Sequence, residues 1–482
     1  MPDFQKYEAV IGLEVHTQLL TESKLFCGDS TQFGNPPNTN VSAISLAHPG
    51  TLPMMNIKAV ELAIKLGLAF NCDIVRDNYF ARKNYFYPDL PKGYQVTQHT
   101  TPICKNGKIP IRVNGKERNI LLNRIHLEED AGKSIHDADE NYTCIDLNRA
   151  GVPLLEIVSE PDIHSAEEAF AYVTEIRKMV RHLQICDGNM EEGSMRCDAN
   201  ISMRLKGEKK LGTKVEVKNL NSIRNVKKAI EYEMNRLVGL LEKGETIIQQ
   251  TRSFDAVNGT TFSLRSKEEA NDYRYFPEPD LAPFLITKEQ IDLIKSSLPE
   301  MPHALEKRLM NEYALPAEAA KIIADDRETA EYFNQLIQQT SHYKAAANWI
   351  IGPVKSFLND DNLSIENFPF SPQTLAKLVN IVEEGKVSFG IAASKIFPVL
   401  IQSEEKDPWK IAKELNLLQE KNDDTLQSWV DEVLASMPEK VSEYKKGKKN
   451  LTGLFAGEVK KKSKGKADMQ AVIKILSEKL NQ

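Results

Sequence analysis

The stretch Asp146-Leu-Asn-Arg-Ala-Gly-Val-Pro-Leu-Leu-Glu-Ile-Val-Ser-Glu-Pro-Asp162 encodes a turn, a short strand and a stop. Glycine and proline mark the turn, and Leu154–Val158 has the length and the apolar, β-branched content of a buried strand. Glu156 is the one acid within that strand. A buried carboxylate is costly unless a cation or hydrogen-bond donors meet it. Glu156 therefore pairs with a structural partner such as Arg149, holds a metal ion, or lies on the wet face of its strand.

The composition is that of a globular protein. A chain of 482 residues predicts two to four domains, and a net charge of −6 argues against a polycation built to coat nucleic acid. The six cysteines form no C-x-x-C pair, which favours reduced thiols in a cytosol-like compartment. We see no signal-peptide pattern and no apolar run approaching the ~20 residues that span a bilayer. We therefore expect a cytoplasmic protein without a membrane segment.

Periodicity divides the chain into a mixed part and a helical part. In the first part, Asn114-Gly115 predicts a hairpin, and Ser165 is placed to cap a helix. Beyond about Pro299 the pattern is almost entirely helical. The expected domains are 1–293, 294–406 and 407–482. Strands are predicted at 9–19, 109–113, 120–127, 154–158, 195–204 and 215–217, and helices at 58–70, 166–183 and 226–241.

Acidic residues lie on several of the predicted strands. Strand alternation places Glu14 and His16 on one face, roughly 7 Å apart. Glu128-Glu129-Asp130 ends the predicted hairpin, where adjacent acids repel one another without a cation. Each patch alone is more often structural than functional. Together with Glu156, they favour a site for a hard cation such as Mg²⁺ or Mn²⁺.

Phosphate would have to be held without a glycine-rich loop. Gly132-Lys133-Ser134 resembles the end of a P-loop, but Leu127 stands where that motif needs glycine, and no G-x-G-x-x-G is present. Motifs for a catalytic serine or cysteine and for a zinc site are also missing. The candidate phosphate contacts are the cations Lys83, Lys133, Arg149 and Arg196, joined by Asp198 and Asn200 on the same strand face as Arg196.

The last predicted module carries a lysine-rich stretch. Between Lys440 and Lys466 there are ten lysines against two acids, Glu443 and Glu458. Such a run is often only a solvated face, so contact with a polyanion is about as probable as no contact. The lysines that we predict to bind a polyanion are Lys445, Lys446, Lys448, Lys449, Lys460, Lys461, Lys462 and Lys464.

Long motifs in register along the whole chain resemble those of the GatB family, whose members are subunits of the bacterial glutamyl/aspartyl-tRNA amidotransferases, with a tail of the GatB/Yqey type. The resemblance covers nearly the full length, which makes chance a poor explanation. The motifs are 10–16 (VIGLEVH), 82–88 (RKNYFYP), 127–133 (LEEDAGK), 146–162, 191–200 (EEGSMRCDAN), 216–221 (EVKNLN) and 272–280 (DYRYFPEPD).

The resemblance implies a fold and an activity. The fold would be α+β, with a mixed-sheet cradle domain resembling the glutamine synthetase catalytic fold, followed by two all-α modules. The activity would be the amidation of Glu-tRNA(Gln) or Asp-tRNA(Asn): ATP and one or two Mg²⁺ ions serve to phosphorylate the side-chain carboxylate, and ammonia displaces the phosphate. A partner amidase (GatA) supplies the ammonia in a heterotrimer with a small third protein (GatC), and the tail binds the mischarged tRNA.

The resemblance also assigns residues. The metal-binding positions of the family match Glu14, His16, Glu129 and Glu156, with Glu128 beside them. Phosphorylation suits this chemistry because a carboxylate lacks a good leaving group. Glu128 or Glu129 is then the candidate for taking a proton from ammonia.

One departure from the family concerns zinc. Many relatives carry a structural zinc site built on cysteines near Cys27 and on a later C-x-x-C. Here Cys27-Gly-Asp is followed by Ser42-Ala-Ile-Ser45, so a single thiol remains. We expect no zinc and a loop, Asn35–Pro49, that is ordered by packing alone.

Two other interpretations stay open. The chain would be a stand-alone metal-dependent ligase for a free acid if deleting Lys440–Gln482 left turnover unchanged. It would be a tRNA-binding adaptor with a dead site if it failed to bind Mg²⁺ and ATP.

Overall fold

The computed structural model describes residues 5–266, 273–361, 363–419, 423–463 and 465–481. Its internal contacts divide the chain into two compact units, Met1–Met301 and Pro302–Gln482. A mixed α/β unit is thus followed by a helical one, as the sequence predicts. The division into three domains and the likeness to glutamine synthetase stay predictions.

The first unit contains four helices and seventeen strands among its described residues. The helices are α1 (Ile57–Ala69), α2 (Ala166–His182), α3 (Ile223–Glu242) and α4 (Lys288–Ser296). The strands are β1 (Tyr7–Gln18), β2 (Asp73–Ile74), β3 (Asp77–Asn78), β4 (Ala81–Asn84), β5 (Tyr94–Thr97), β6 (Cys104–Lys105), β7 (Lys108–Val113), β8 (Lys116–Glu129), β9 (Lys133–Ile135), β10 (Cys144–Asp146), β11 (Pro153–Ser159), β12 (Met195–Leu205), β13 (Val215–Leu220), β14 (Gln250–Asp255), β15 (Thr260–Ser266), β16 (Phe276–Pro277) and β17 (Phe284–Leu285).

Thirteen of these strands form one sheet whose centre is β1. The strand order is β15-β14-β13-β12-β1-β11-β8-β5-β4-β16, with β2, β6 and β7 attached at the side. Antiparallel pairing sets His16 of β1 opposite Glu156 of β11 and opposite Arg196 of β12. Glu156 in turn lies opposite His126 of β8. The strand that opened the sequence analysis is therefore a neighbour of the central strand.

The two faces of β1 differ as strand alternation predicts. Leu13 and Val15 are fully buried in an apolar core that also holds residues from α1, α2 and α3. Glu14, His16 and Gln18 lie on the other face and are half-buried. A sheet covered by helices on one face leaves the opposite face available for a polar site.

Local sequence signals explain several element ends. Asn114 and Gly115 form the two-residue turn between β7 and β8, both with positive φ, which matches the twist that such hairpins need. The Ser165 side chain accepts a hydrogen bond from the backbone N–H of Glu168 and caps α2. Each predicted strand and helix of the first unit overlaps an observed one, with ends shifted by one to three residues for most elements.

The second unit is helical throughout its described residues. Two separate apolar clusters hold it together, one drawn from residues 305–412 and the other from 426–480. No helix among the described residues is long and apolar enough to cross a bilayer. Its α-helices are α5 (Pro302–Glu312), α6 (Ala317–Ala324), α7 (Arg327–Leu336), α8 (Tyr343–Trp349), α9 (Lys355–Asp360), α10 (Pro372–Glu383), α11 (Phe389–Ile391), α12 (Phe397–Gln402), α13 (Pro408–Glu414), α14 (Asp423–Ser436), α15 (Pro438–Lys445), α16 (Thr452–Lys462) and α17 (Met469–Leu480).

Candidate active site

A cavity of about 630 Å³ opens on the polar face of the sheet. Strands β1, β11, β8, β12 and β13 form its floor, and each contributes an acidic side chain. The five carboxylates are Glu14, Glu128, Glu156, Asp198 and Glu216. Such a concentration of like charge in one cavity is unfavourable unless cations meet it.

One group of metal-ligand type consists of His16, Glu128 and Glu156, whose ligand atoms lie within 4.8 Å of one another. His16 Nε2 lies 3.4 Å from Glu156 Oε2 and 3.9 Å from Glu128 Oε1. His126 Nε2 approaches the same carboxylates, at 3.5 Å from Glu156 and 3.6 Å from Glu128. The buried Nδ1 of His126 has no hydrogen-bond partner among the described residues.

Electrostatics in this group follow from the close pairing. Burial alone would lower the pKa of His16, but the hydrogen bond and charge of Glu156, together with Glu128, raise that pKa to about 9. Burial alone would raise the pKa of Glu156, but His126, His16 and Lys83 hold it well below its usual range. The imidazoles and carboxylates of this group therefore neutralise one another.

A second group consists of Glu14, Asp198 and Glu216, again with ligand atoms within 4.8 Å of one another. Lys218 Nζ lies 2.6 Å from Asp198 and 2.9 Å from Glu216. Burial opposes the charge of Lys218, but these two carboxylates raise its pKa. Burial also raises the pKa of Glu14, and the charge of Glu156 adds to that effect. Glu14 thus lies between the two groups and couples them.

Lys83 of β4 brings another cation to the cavity wall. Its ammonium group lies 5.0 Å from the ring centre of Tyr273 and 5.6 Å from that of Tyr85. Burial would lower its pKa, but the negative charges of Glu128 and Glu156 raise it. Lys83 therefore stays charged and faces the first group of carboxylates.

At the Gln18 end of β1, cations surround Asp130. Arg196 Nη2 and Gln18 Nε2 each donate a hydrogen bond of 2.8 Å to Asp130 Oδ2. Arg149 Nε lies 3.7 Å from the same oxygen, but the guanidinium group donates to the backbone carbonyls of Ala131 and Gly132. Arg149 therefore pairs with Asp130 and not with Glu156, and its donors are already used.

The structure does not bring every predicted residue to the cavity. Glu129 has the opposite strand parity to Glu128 and lies on the reverse side of β8, where it accepts from the backbone N–H of Val96 and pairs with Lys92. Lys133 is exposed on β9, outside the cavity lining. The structure thus places Glu128, and not Glu129, beside His16 and Glu156.

Three cavity residues were not singled out from the sequence. His126 has the same i, i+2 relation to Glu128 that Glu14 has to His16, so alternation on the predicted strand was a usable signal. Glu216 and Lys218 alternate in the same way on β13, inside a motif quoted for the resemblance but given no role.

The side chains present fit a hard divalent cation. Carboxylate oxygens with a single imidazole are typical ligands of Mg²⁺ and Mn²⁺, and cysteine ligands, which zinc or iron–sulfur sites would use, do not line this cavity as a group among the described residues. His16, Glu128 and Glu156 would hold one ion. Glu14, Asp198 and Glu216 would hold a second if Lys218 moved aside.

The loop that follows Cys27 is held by side-chain hydrogen bonds. Asp29 accepts from the backbone N–H of Ser42 at 2.9 Å, from the hydroxyl of Ser45, and from the Cys27 thiol at 3.3 Å. The buried Lys24 donates to the carbonyl of Asn40 at 2.7 Å. The expectation that packing alone orders this loop is therefore wrong, because a carboxylate gathers the donors.

The predicted tail lysines lie at the ends of two helices, in α15 and the following turn and in the last turn of α16. Three of them already have partners: Lys448 pairs with Glu443, Lys462 pairs with Glu432, and Lys449 donates to Asn481. Lys464 lies outside the described residues. The exposed lysines that pair with no described residue are Lys445, Lys446, Lys460 and Lys461.

Comparison with known proteins gives a consistent result. A family model described as the GatB/GatE catalytic domain matches residues 9–292, and a second, described as a GatB domain, matches residues 331–480. Several relatives are named as the B-type component of aspartyl/glutamyl-tRNA(Asn/Gln) amidotransferase. The protein from Bdellovibrio bacteriovorus is 48% identical over 475 residues, or 98% of this chain and 99% of that protein. Those from Chlorobium limicola (48% identical) and a Thermoanaerobacter species (46%) each align over 476 residues, or 99% of this chain and 100% of the relative.

Proposed function

Because the chain belongs to the GatB family of aspartyl/glutamyl-tRNA(Asn/Gln) amidotransferase components, we propose that it performs the ATP- and Mg²⁺-dependent amidation of Glu-tRNA(Gln) or Asp-tRNA(Asn). The reaction transfers the γ-phosphoryl group of ATP to the side-chain carboxylate of the esterified amino acid. Ammonia then attacks the resulting acyl phosphate, and inorganic phosphate leaves.

The observation that supports this proposal best is the meeting of the two carboxylate groups with Lys83, Lys218 and Arg196 in one cavity. Phosphoryl transfer relies mainly on positioning and on neutralising negative charge, and less on covalent chemistry by the protein. Bound Mg²⁺ would supply charge neutralisation for the phosphates. A cavity that carries both signs of charge suits a reaction in which two anions, ATP and a carboxylate, must approach each other.

Individual side chains have distinct parts in this proposal. His16, Glu128 and Glu156 hold a metal ion, and Glu14, Asp198 and Glu216 hold a second. Lys83 and Arg196 are the cations nearest to hand for the substrate carboxylate or the transferred phosphoryl group. Of the two proton acceptors considered from the sequence, Glu128 is favoured, because both oxygens of Glu129 are engaged on the other side of the strand.

Ammonia must come from elsewhere, because the sequence carries no recognisable amidase nucleophile. We infer a partner amidase of the GatA type and a small third protein of the GatC type, in a heterotrimer in the cytoplasm. The four tail lysines that pair with no described residue support a contact with the phosphates of the mischarged tRNA.

The test is co-purification of the full-length chain with a candidate amidase partner, followed by amidation assays on Glu-tRNA(Gln) and Asp-tRNA(Asn). We expect product with glutamine only when the partner is present, and product with ammonium salts in either case. Amidation should require ATP and disappear with Glu156→Gln. Turnover of a free acid without tRNA would favour the stand-alone ligase, and lack of ATP and Mg²⁺ binding would favour the adaptor.

A further inference from the structure

Gly12 occupies the middle of the central strand β1, where glycine is unexpected. Its φ is not positive, and a Cβ added to it would meet no atom closer than 4.0 Å, the distance to Pro161 and Ser159. Glycine inside a strand costs about 0.5–1 kcal/mol relative to alanine. Neither backbone conformation nor packing within the chain therefore explains this residue. A strand glycine of this kind often marks a place where a ligand approaches the backbone closely.

Gly12 forms part of the floor of a second cavity, of about 280 Å³, which adjoins the first. The two cavities share Glu14 as a lining residue. The second is lined largely by apolar groups, including Val10, Val158 and the exposed Leu211. Val10 is buried, yet it does not belong to the apolar core on the helix side of the sheet.

Polar character therefore changes along the open face of β1 in a definite order. An apolar floor at Val10 and Gly12 is followed by the carboxylate group of Glu14, then by that of His16, and finally by the cations around Asp130. From Val10 to Glu14 the strand rises about 13 Å, which is enough for a nucleoside. A nucleoside triphosphate has the same order of chemistry: an apolar base, a ribose, and then phosphates that need cations.

We propose that this second cavity binds the adenine base and ribose of ATP, with Gly12 leaving room for them against the strand. The inference rests on the proposed function and fixes the direction of the nucleotide: the base lies at the Val10 end and the γ-phosphoryl group at the His16 end. Asn200 suits the ribose or the base, because its Nδ2 donates to Glu14 at 2.9 Å while its carbonyl oxygen bonds to no described residue.

The other end of the first cavity offers a competing place for the base, on the ring of Tyr273. That end is less suitable, because Lys83 lies over this ring and fits an anionic group better than a base. The acceptor carboxylate therefore approaches from the Lys83 end, opposite to the adenosine. The two placements make different predictions for substitutions at Gly12 and Tyr273.

The experiment compares the binding of ATP and of inorganic tripolyphosphate, both with Mg²⁺, to the full-length chain by calorimetry. Gly12→Val adds a β-branched side chain that a strand tolerates, and it fills the floor of the second cavity. We expect it to weaken ATP binding at least tenfold, which corresponds to about 1.4 kcal/mol, while tripolyphosphate binding stays within twofold of wild type. Gly12→Ala should weaken ATP binding less, and it serves if the valine variant does not fold.

Gly28→Val is the matched control, because a Cβ at Gly28 would meet nothing within 4 Å and Gly28 lines neither cavity. It should leave both affinities unchanged. Unchanged ATP binding in both Gly12 variants, or a parallel loss for both ligands, would overturn the placement. So would a selective loss of ATP binding in Tyr273→Ala. If wild type binds neither ligand with Mg²⁺, the proposed function itself fails, and that outcome is distinct from the others.

Discussion

Glu128 and Glu129 are adjacent in sequence, yet the structure predicts opposite effects for their replacement by glutamine. Glu128 faces the cavity, where it and Glu156 surround His16 and His126. Glu129 faces the reverse side, is 3% exposed, and binds Val96 N–H and Lys92. We expect Glu128→Gln to impair metal binding with little loss of stability. We expect Glu129→Gln to lower stability with metal binding intact.

The sizes of these effects follow from the contacts. Removing the charge of Glu129 leaves Lys92, 17% exposed, without its counter-ion, and breaking a buried pair costs about 2–4 kcal/mol. At about 2 °C per kcal/mol for a unit of this size, the melting temperature should fall by about 4–8 °C. Loss of a residue that only orients a ligand costs about 10–100-fold in metal affinity, so loss of the Glu128 ligand should cost at least about 100-fold.

Two measurements on the purified chain check this pair of variants: thermal unfolding without divalent ions, and calorimetric titration with Mg²⁺. Glu128→Gln should melt within about 2 °C of wild type, because its removal also relieves repulsion with Glu156. The reasoning would be refuted if Glu128→Gln bound Mg²⁺ as wild type does. It would equally be refuted if Glu129→Gln lost Mg²⁺ affinity while it kept the wild-type melting temperature.

Three further predictions concern other parts of the chain. Burial would raise the pKa of Asp29, but the hydrogen bonds that it accepts lower it, so its contribution to stability is complete above the unfolded pKa of about 3.9 and is lost as pH falls through the folded value; denaturant unfolding should therefore show a constant penalty for Asp29→Asn from pH 7 to about pH 5 that shrinks below about pH 4, and a penalty independent of pH would contradict this. Glu233, fully buried between Arg236 and Arg252, should lose about 3–5 kcal/mol on replacement by alanine, measured by urea unfolding, and a loss below about 1 kcal/mol would count against a stabilising role. The affinity for tRNA should fall steeply with salt, and the slope of log K against log salt should flatten when glutamine replaces Lys445, Lys446, Lys460 and Lys461; an unchanged slope in that variant would exclude them as phosphate contacts.

Much of the site was accessible from strand alternation alone. The pattern that set Glu14 and His16 on one face of β1 also determines their partners on β11 and β12, because antiparallel pairing aligns side chains of the same face. The same parity separates Glu128 from Glu129: Leu127, which shares the parity of Glu129, belongs to the apolar core. The resemblance to known proteins pointed to Glu129, and the period of the strand points to Glu128.

Other features depend on contacts that no local pattern encodes. Arg149 was a candidate for phosphate, but its donors are taken by carbonyls of the Ala131–Gly132 turn, which only the tertiary fold brings within reach. The carboxylate of Asp29 gathers donors from residues up to 16 positions away. The role of Gly12 also needed the structure, since a glycine in a strand is informative only when its surroundings are known.

The central claim is that the cavity activates a carboxylate by phosphorylation, and labelled oxygen tests it directly. Glu-tRNA(Gln) with ¹⁸O in the side-chain carboxylate would be amidated by the co-purified complex with ATP, Mg²⁺ and ammonium. Formation and breakdown of an acyl phosphate must transfer one carboxylate oxygen to phosphate. The account predicts one ¹⁸O in each inorganic phosphate released during amidation, and no labelled phosphate with Glu156→Gln. Amide formation that leaves the phosphate unlabelled would contradict it.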